Sequence, residues 1–190
     1  MDTALQSIHI PKNLKGLGGS SKKYLSISQS PFNWCESLTT ITVDDDHALL
    51  ADFDSNGIFN KSGTILYAGC PNTTLFEGIT TIKPYAFCMD GIESIALPKS
   101  VTTLSDTAFL TCNTIRTIYV NNNTIYSVMT DDSQHYLIED LENIYILASA
   151  DDGSNTYLSD TTNYPYQYKN ITVDGEVYNL YSKVEHSDLA

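Results

Sequence analysis

Basic residues are scarce in this chain. Lys and Arg together number 10 against 23 Asp and Glu, for a formal net charge of −13. That balance excludes the basic stripe that a nucleic-acid partner requires. It favours a soluble body that repels polyanions and anionic membranes. The deficit is uneven: Lys12, Lys15, Lys22 and Lys23 face Asp2 within residues 1–23, a local +3 that leaves −16 for the remainder. Long apolar runs are absent too. The longest, Ile144 to Ala148, has the length of a strand, so no membrane-spanning helix is expected. The first residues lack the basic and apolar regions of a signal peptide. Cysteine is limited to Cys35, Cys70, Cys88 and Cys112, none in C-x-x-C spacing, so buried thiols acting as small hydrophobes are expected.

Motifs of catalysis are missing as well. No G-x-S-x-G elbow occurs, and Gly16-Leu-Gly18-Gly19 lacks the third glycine of a phosphate loop. None of His9, His47, His135 or His186 stands in metal-ligand spacing with another His or Cys. Asp52 to Gly57 fits the first six positions of an EF-hand loop, but the twelfth is Gly63 where a bidentate Glu is needed. A hairpin turn is the expectation there. The clusters Asp44 to Asp46 and Asp151 to Asn155 read as solvated loops, and the four N-x-[ST] sequons as chance products of an Asn- and Thr-rich chain. No enzyme, cofactor or metal is therefore expected.

What the chain does have is an internal repeat. Leu5/Ile8/Ile10, Leu38/Ile41/Val43, Ile92/Ile95/Leu97, Ile115/Ile118/Val120 and Leu141/Ile144/Ile146 share one spacing: an apolar residue, two polar ones, then apolar-x-apolar. Cys70/Thr73/Leu75 is a degenerate copy. The starts at 5, 38, 70, 92, 115 and 141 are 33, 32, 22, 23 and 26 residues apart. A unit near 23 with insertions near 18–27 and 44–69 accounts for all five, within the 20–29 window of leucine-rich repeats. A second part recurs as Pro11/Leu14/Leu17, Ile79/Ile82 and Pro98/Val101/Leu104. A third recurs as Phe32/Cys35 and Phe109/Cys112, with Phe87 in a shortened variant.

Residues two apart on a strand point the same way, so the paired apolar residues face inward. One rung cannot bury that face alone, and stacked rungs bury it against each other. Phe32, Phe87 and Phe109 are expected to stack as a spine. No 3.6-residue period appears, so the unit is mainly β: a solenoid of about six rungs.

The run from Ala86-Phe87 through Ile92/Ile95/Leu97, Pro98, Val101/Leu104 and Ala108-Phe109 to Cys112 resembles the BspA-like leucine-rich repeat. The segment Asp54 to Tyr67 is similar to the hairpin this family inserts between rungs. The departures are Asp90 in place of Cys, the ten-residue insertion near Gly18 and the rung at Cys70. The resemblance implies a non-enzymatic protein, displayed on a cell surface or secreted, that adheres to host matrix glycoproteins or other cells.

Residues 1–147 thus read as the repeat region and 148–190 as a β-rich C-terminal cap. Ten of the 13 tyrosines lie between 119 and 181, and Ile171 to Tyr181 alternates around Asp174-Gly175, a hairpin signal. The rung at Leu5 has nothing before it to cap it. The chain is therefore expected to be the C-terminal piece of something longer or a trimmed form, with weak self-association through the bare N-terminal edge.

The outward residues between the inward pairs form the expected binding ladder: Ser7/His9, Thr40/Thr42, Asn72/Thr74, Ser94/Ala96, Thr117/Tyr119 and Asn143/Tyr145. Tyr119, Tyr145, Arg116, Thr117 and His9 are the candidate binding residues, because Tyr and Arg dominate hot spots. The competing expectation is that the cap folds onto both rings. A protein or glycoprotein ligand is the first reading of function. A carbohydrate-binding module and a structural spacer presenting another domain are the alternatives.

Overall fold

The computed structural model describes residues 4–14, 32, 35–87, 91–105, 107–110, 112–121, 141–149 and 166–183. Among these, the regular elements are all strands: β1 (Ser7–Ile10), β2 (Thr40–Val43), β3 (Leu50–Ala51), β4 (Gly57–Asn60), β5 (Ile65–Gly69) and β6 (Thr81–Ile82). They continue as β7 (Ser94–Ala96), β8 (Thr103–Leu104), β9 (Thr117–Val120), β10 (Asn143–Leu147), β11 (Tyr166–Val173) and β12 (Glu176–Lys183). The insertion near Gly18, the Asp90 departure and the Asp151 to Asn155 loop lie outside the described residues.

The expected rungs pair in parallel, one repeat apart and in register. Ile8 lies opposite Ile41 and Ile10 opposite Val43; Ile95 lies opposite Ile118, which lies opposite Ile144. Their inward side chains are buried, except for Ile8, which is half-buried on β1. The second part of the repeat builds a second parallel ladder, β5-β6-β8, in which Leu66, Ile82 and Leu104 share a register position. The repeat that carries β7 and β8 thus feeds two sheets.

Hydroxyls repeat along with the apolar residues. Thr114 Oγ1 donates to the Ile92 carbonyl at 3.0 Å and accepts the Gly91 N–H at 2.8 Å. Ser100 Oγ does the same in the second part of the repeat, donating to the Ile79 carbonyl at 2.7 Å and accepting the Gly78 N–H at 2.9 Å. Backbone groups at the starts of both repeat parts are satisfied in this way.

The degenerate rung is a correction: residues 70–76 contain no strand. Pro71 has no N–H to give. Thr73 stands at the inward position and sends its hydroxyl to the Asn56 carbonyl, while accepting the Cys70 N–H at 2.7 Å. Thr74 N–H goes to the Ser55 carbonyl at 2.9 Å. These local bonds replace ladder bonds. The outward row is therefore split between a two-stranded sheet, β1-β2, and a five-stranded sheet in the order β11-β12-β10-β9-β7.

Between them lies the inserted hairpin. β4 and β5 pair antiparallel with an irregularity between Ile58 and Phe59; as strand neighbours the two point to opposite faces and enter different clusters. Ile58 packs with Ile10, Leu38, Ile41 and Leu50. Phe59 packs with Leu66, Ile82, Phe87 and Ile95.

The aromatic spine is shorter than expected. Phe87 and Phe109 stack with centroids 5.2 Å apart and planes 7° apart. Gly69 occupies the next position: its N–H reaches the Ala86 carbonyl as that of Phe87 reaches Ala108, each at 2.8 Å. A Cβ on Gly69 would stand 2.5 Å from Phe87, so only glycine ends the stack there. Phe32 is buried, but in the N-terminal cluster.

The C-terminal hairpin forms around Asp174 and Gly175, both left-handed at φ 49° and 84°, as a two-residue primed turn requires. β12 runs antiparallel beside β10 with Tyr181 opposite Ile144, and Tyr181 is buried in the same core.

Candidate functional site

Strand alternation places one residue in two of β7, β9 and β10 on the outer face. Ile118, Val120, Ile144 and Ile146 point into the core, so Thr117, Tyr119, Asn143 and Tyr145 point out. In register, Ala96 lies opposite Tyr119, Tyr119 opposite Tyr145 and Tyr145 opposite Leu180. The two rings stack with centroids 4.3 Å apart and planes 18° apart. Tyr178 meets both edge-on, at 5.7 Å and 81° from Tyr119 and at 6.1 Å and 83° from Tyr145. Both geometries suit the aromatic quadrupole, each at about 0.5–1.5 kcal/mol beyond burial.

Burial, and then the neighbouring Tyr145, pushes the Tyr119 phenol above its ordinary range. Burial, and then Glu176, does the same for Tyr178. Both phenols stay protonated at neutral pH and can donate as well as accept hydrogen bonds.

A polar row runs beside the aromatic one. Ser94, Thr117, Asn143 and Ser182 occupy successive register positions, and Ser182 Oγ donates to Asn143 Oδ1 at 3.0 Å. Ser94 and Thr117 also line a shallow groove of about 420 Å³ with Glu93, Thr114 and Arg116. The Arg116 guanidinium donates to the carbonyls of Asn113 and Ile115, both at 2.9 Å, with Glu142 at 3.4 Å. Across the top, Lys99 Nζ meets Glu176 at 3.2 Å.

The structure brings Arg116, Thr117, Tyr119 and Tyr145 together on one sheet. It does not bring His9 to them. His9 lies on β1, in the two-stranded sheet, where its ring bonds Thr42 Oγ1 at 2.9 Å and Asp44 Oδ1 at 3.0 Å. The residues that sequence reasoning missed are Tyr178 and the Lys99–Glu176 pair. The Asp-Gly turn marked the hairpin, and one expectation had the cap folding onto both rings, but nothing in the sequence set β12 beside β10 in the sheet.

Among the described hairpin residues, β12 joins the edge of the sheet and contributes Tyr178 to the ring cluster. Elsewhere, Asp52 uses its carboxylate as a turn clamp, accepting the N–H of Val43 at 2.6 Å and of Asp54 at 2.9 Å. Lys61 Nζ reaches the Asp45 carbonyl at 2.8 Å beside it. No group of three or more His, Cys, Asp or Glu among the described residues is placed to hold a metal ion. Cys35, Cys70 and Cys112 are buried thiols, and burial pushes Cys70 up from its ordinary range. No described helix is long and apolar enough to cross a membrane.

A search of curated proteins returned no significant match. A leucine-rich repeat protein from Eubacterium ventriosum, solved by crystallography, is similar at 21% identity and a TM-score of 0.48. The match covers 63% of this chain and 30% of that one, so the chain spans about a third of the solved protein's length. The family model for the BspA type leucine-rich repeat region matches residues 1–127 in six copies. β10 and β12 carry the outer face beyond those residues. With two thirds of its length matched and its repeats paired rung on rung, this chain belongs to the BspA-type leucine-rich repeat family.

Proposed function

We propose that the chain is a non-enzymatic binding module: a short solenoid of a cell-surface or secreted protein that takes a protein or glycoprotein partner on the outer face of its five-stranded sheet. The tyrosine cluster carries this reading. Tyr119, Tyr145 and Tyr178 hold one another in fixed orientations, so a partner that buries them loses little side-chain entropy at the contact. The Ser94/Thr117/Asn143 row beside them supplies a polar rim of the kind that surrounds hot spots. Membership in a repeat family whose members offer extended sheets for recognition supports the same reading.

Replacing Tyr119 and Tyr145 together by Ala tests it against a panel of immobilised matrix glycoproteins. The expected loss is at least about 2 kcal/mol of affinity, the hot-spot threshold, in a protein that still melts in one cooperative transition, at a midpoint lowered by the lost ring contacts. A folded double variant that binds as well as the parent would remove the site from this face.

A further inference from the structure

We infer that the open face of the Tyr119 ring, above Ala96 on β7, is a subsite for one pyranose ring of a glycan. The inference rests on the reading of this sheet as a binding surface, and names the part of a glycoprotein partner that docks at its β7 edge.

Stacking on Tyr145 turns the plane of Tyr119 across the strands, so one ring face meets Tyr145 and the other is directed toward β7. The residue opposite on β7 is Ala96, which is exposed. Its methyl group is too small to cover an aromatic face, and β7 is the last strand of the sheet among the described residues. A notch above Ala96 follows from this register, with a flat aromatic wall and a small floor. The wall is rigid, because Tyr145 backs it and Tyr178 abuts its edge.

The rim decides the ligand class. Ser94 and Thr117 flank the notch on one side and open into the groove shared with Glu93, Thr114 and Arg116. The Lys99–Glu176 pair stands toward the opposite end of the strands. An apolar protein side chain would strip water from the Ser94 and Thr117 hydroxyls without offering them a partner, which costs part of what the contact returns. A pyranose matches them. Its C–H face packs on an aromatic plane, and its equatorial hydroxyls both donate and accept around the rim.

The test uses the whole chain and five probes: the methyl glycosides of glucose, galactose, mannose, N-acetylglucosamine and N-acetylgalactosamine. Saturation-transfer NMR is expected to show binding of at least one, strongest at the C–H protons of one ring face. Ala96→Leu fills the notch at an exposed position and is expected to weaken that binding at least tenfold. Tyr119→Phe keeps the aromatic face and is expected to stay within about twofold. No transfer to any of the five, or Ala96→Leu binding like the parent, overturns the subsite.

Immobilised matrix glycoproteins, before and after enzymatic deglycosylation, separate this inference from the broader reading. Binding that survives deglycosylation overturns the subsite and leaves the protein-binding face standing. Binding lost with the glycan supports the subsite. Glycoside binding without any glycoprotein binding supports the subsite and removes the broader reading.

Discussion

His47 is the most enclosed polar side chain among the described residues, at 2% exposure. Its Nε2–H donates to the Leu14 carbonyl at 3.0 Å, and Nδ1 accepts the N–H groups of Leu49 and Leu50 at 3.2 and 3.1 Å. These partners fix the tautomer. One imidazole thereby ties the segment after β1 to the entry of β3. Replacing His47 by Ala leaves buried backbone groups without partners, at about 1–3 kcal/mol. The urea midpoint should fall accordingly without a change in slope, and an unchanged midpoint would contradict the clamp. Sequence gave no hint of this role, because His47 sits in an insertion where the repeat period stops. The inward pairs Ile41/Val43, Ile95/Leu97, Ile118/Val120 and Ile144/Ile146 were legible because period 2 and period 23 coincide there. All eight are buried. The Phe32 position followed the same period, yet its ring lies in the other cluster from Phe87 and Phe109, because Gly69 interrupts the spine.

At the scale of elements, the β1-β2 pair depends on one carboxylate. Asp44 accepts the Lys12 N–H at 2.8 Å and meets the His9 ring at 3.0 Å. The Lys12 N–H holds its carboxyl below the usual carboxylate range; burial opposes this, and the His9 ring adds to the lowering. A carboxyl depressed on folding stabilises above its unfolded pKa, and that contribution fades as pH falls through the folded value. Asp44→Asn should therefore melt below the parent at pH 7, and the gap should close well below pH ~4, the ordinary aspartate value. A gap independent of pH would assign the loss to shape and not to charge. The strands themselves were readable from alternation, as was the Asp174-Gly175 turn. The rung at Cys70 was legible as a degenerate departure but not as the loss of its strand, since its spacing of 22 residues to the next start is regular. What defeats it is chemistry inside the spacing: Pro71 withholds a donor, and Thr73 turns to the Asn56 carbonyl.

Across the whole molecule, that failed rung and the hairpin beside it divide the interior in two. Ile10, Phe32, Leu38, Ile41 and Val43 form one cluster, and the residues from Ile79 through Ile146 form the other. β4 joins them, giving Ile58 to the first and Phe59 to the second. In stacked repeats, stability is close to a sum of unit and nearest-neighbour terms, so damage should stay local unless it strikes the joint. Leu38→Ala, at about 2–5 kcal/mol for a buried leucine, should lower hydrogen-exchange protection of the Ile41 and Val43 amides. The Ile118 and Ile144 amides should keep the parent's values. Phe59→Ala, at about 3–5 kcal/mol, should lower both sets, because removing its ring loosens the strand on which Ile58 is also carried. Equal loss at all four amides in Leu38→Ala would mean one cooperative core. The hairpin would then be an ornament on a continuous stack, and the proposed binding face on β7, β9 and β10 would be coupled to β1 and β2 after all.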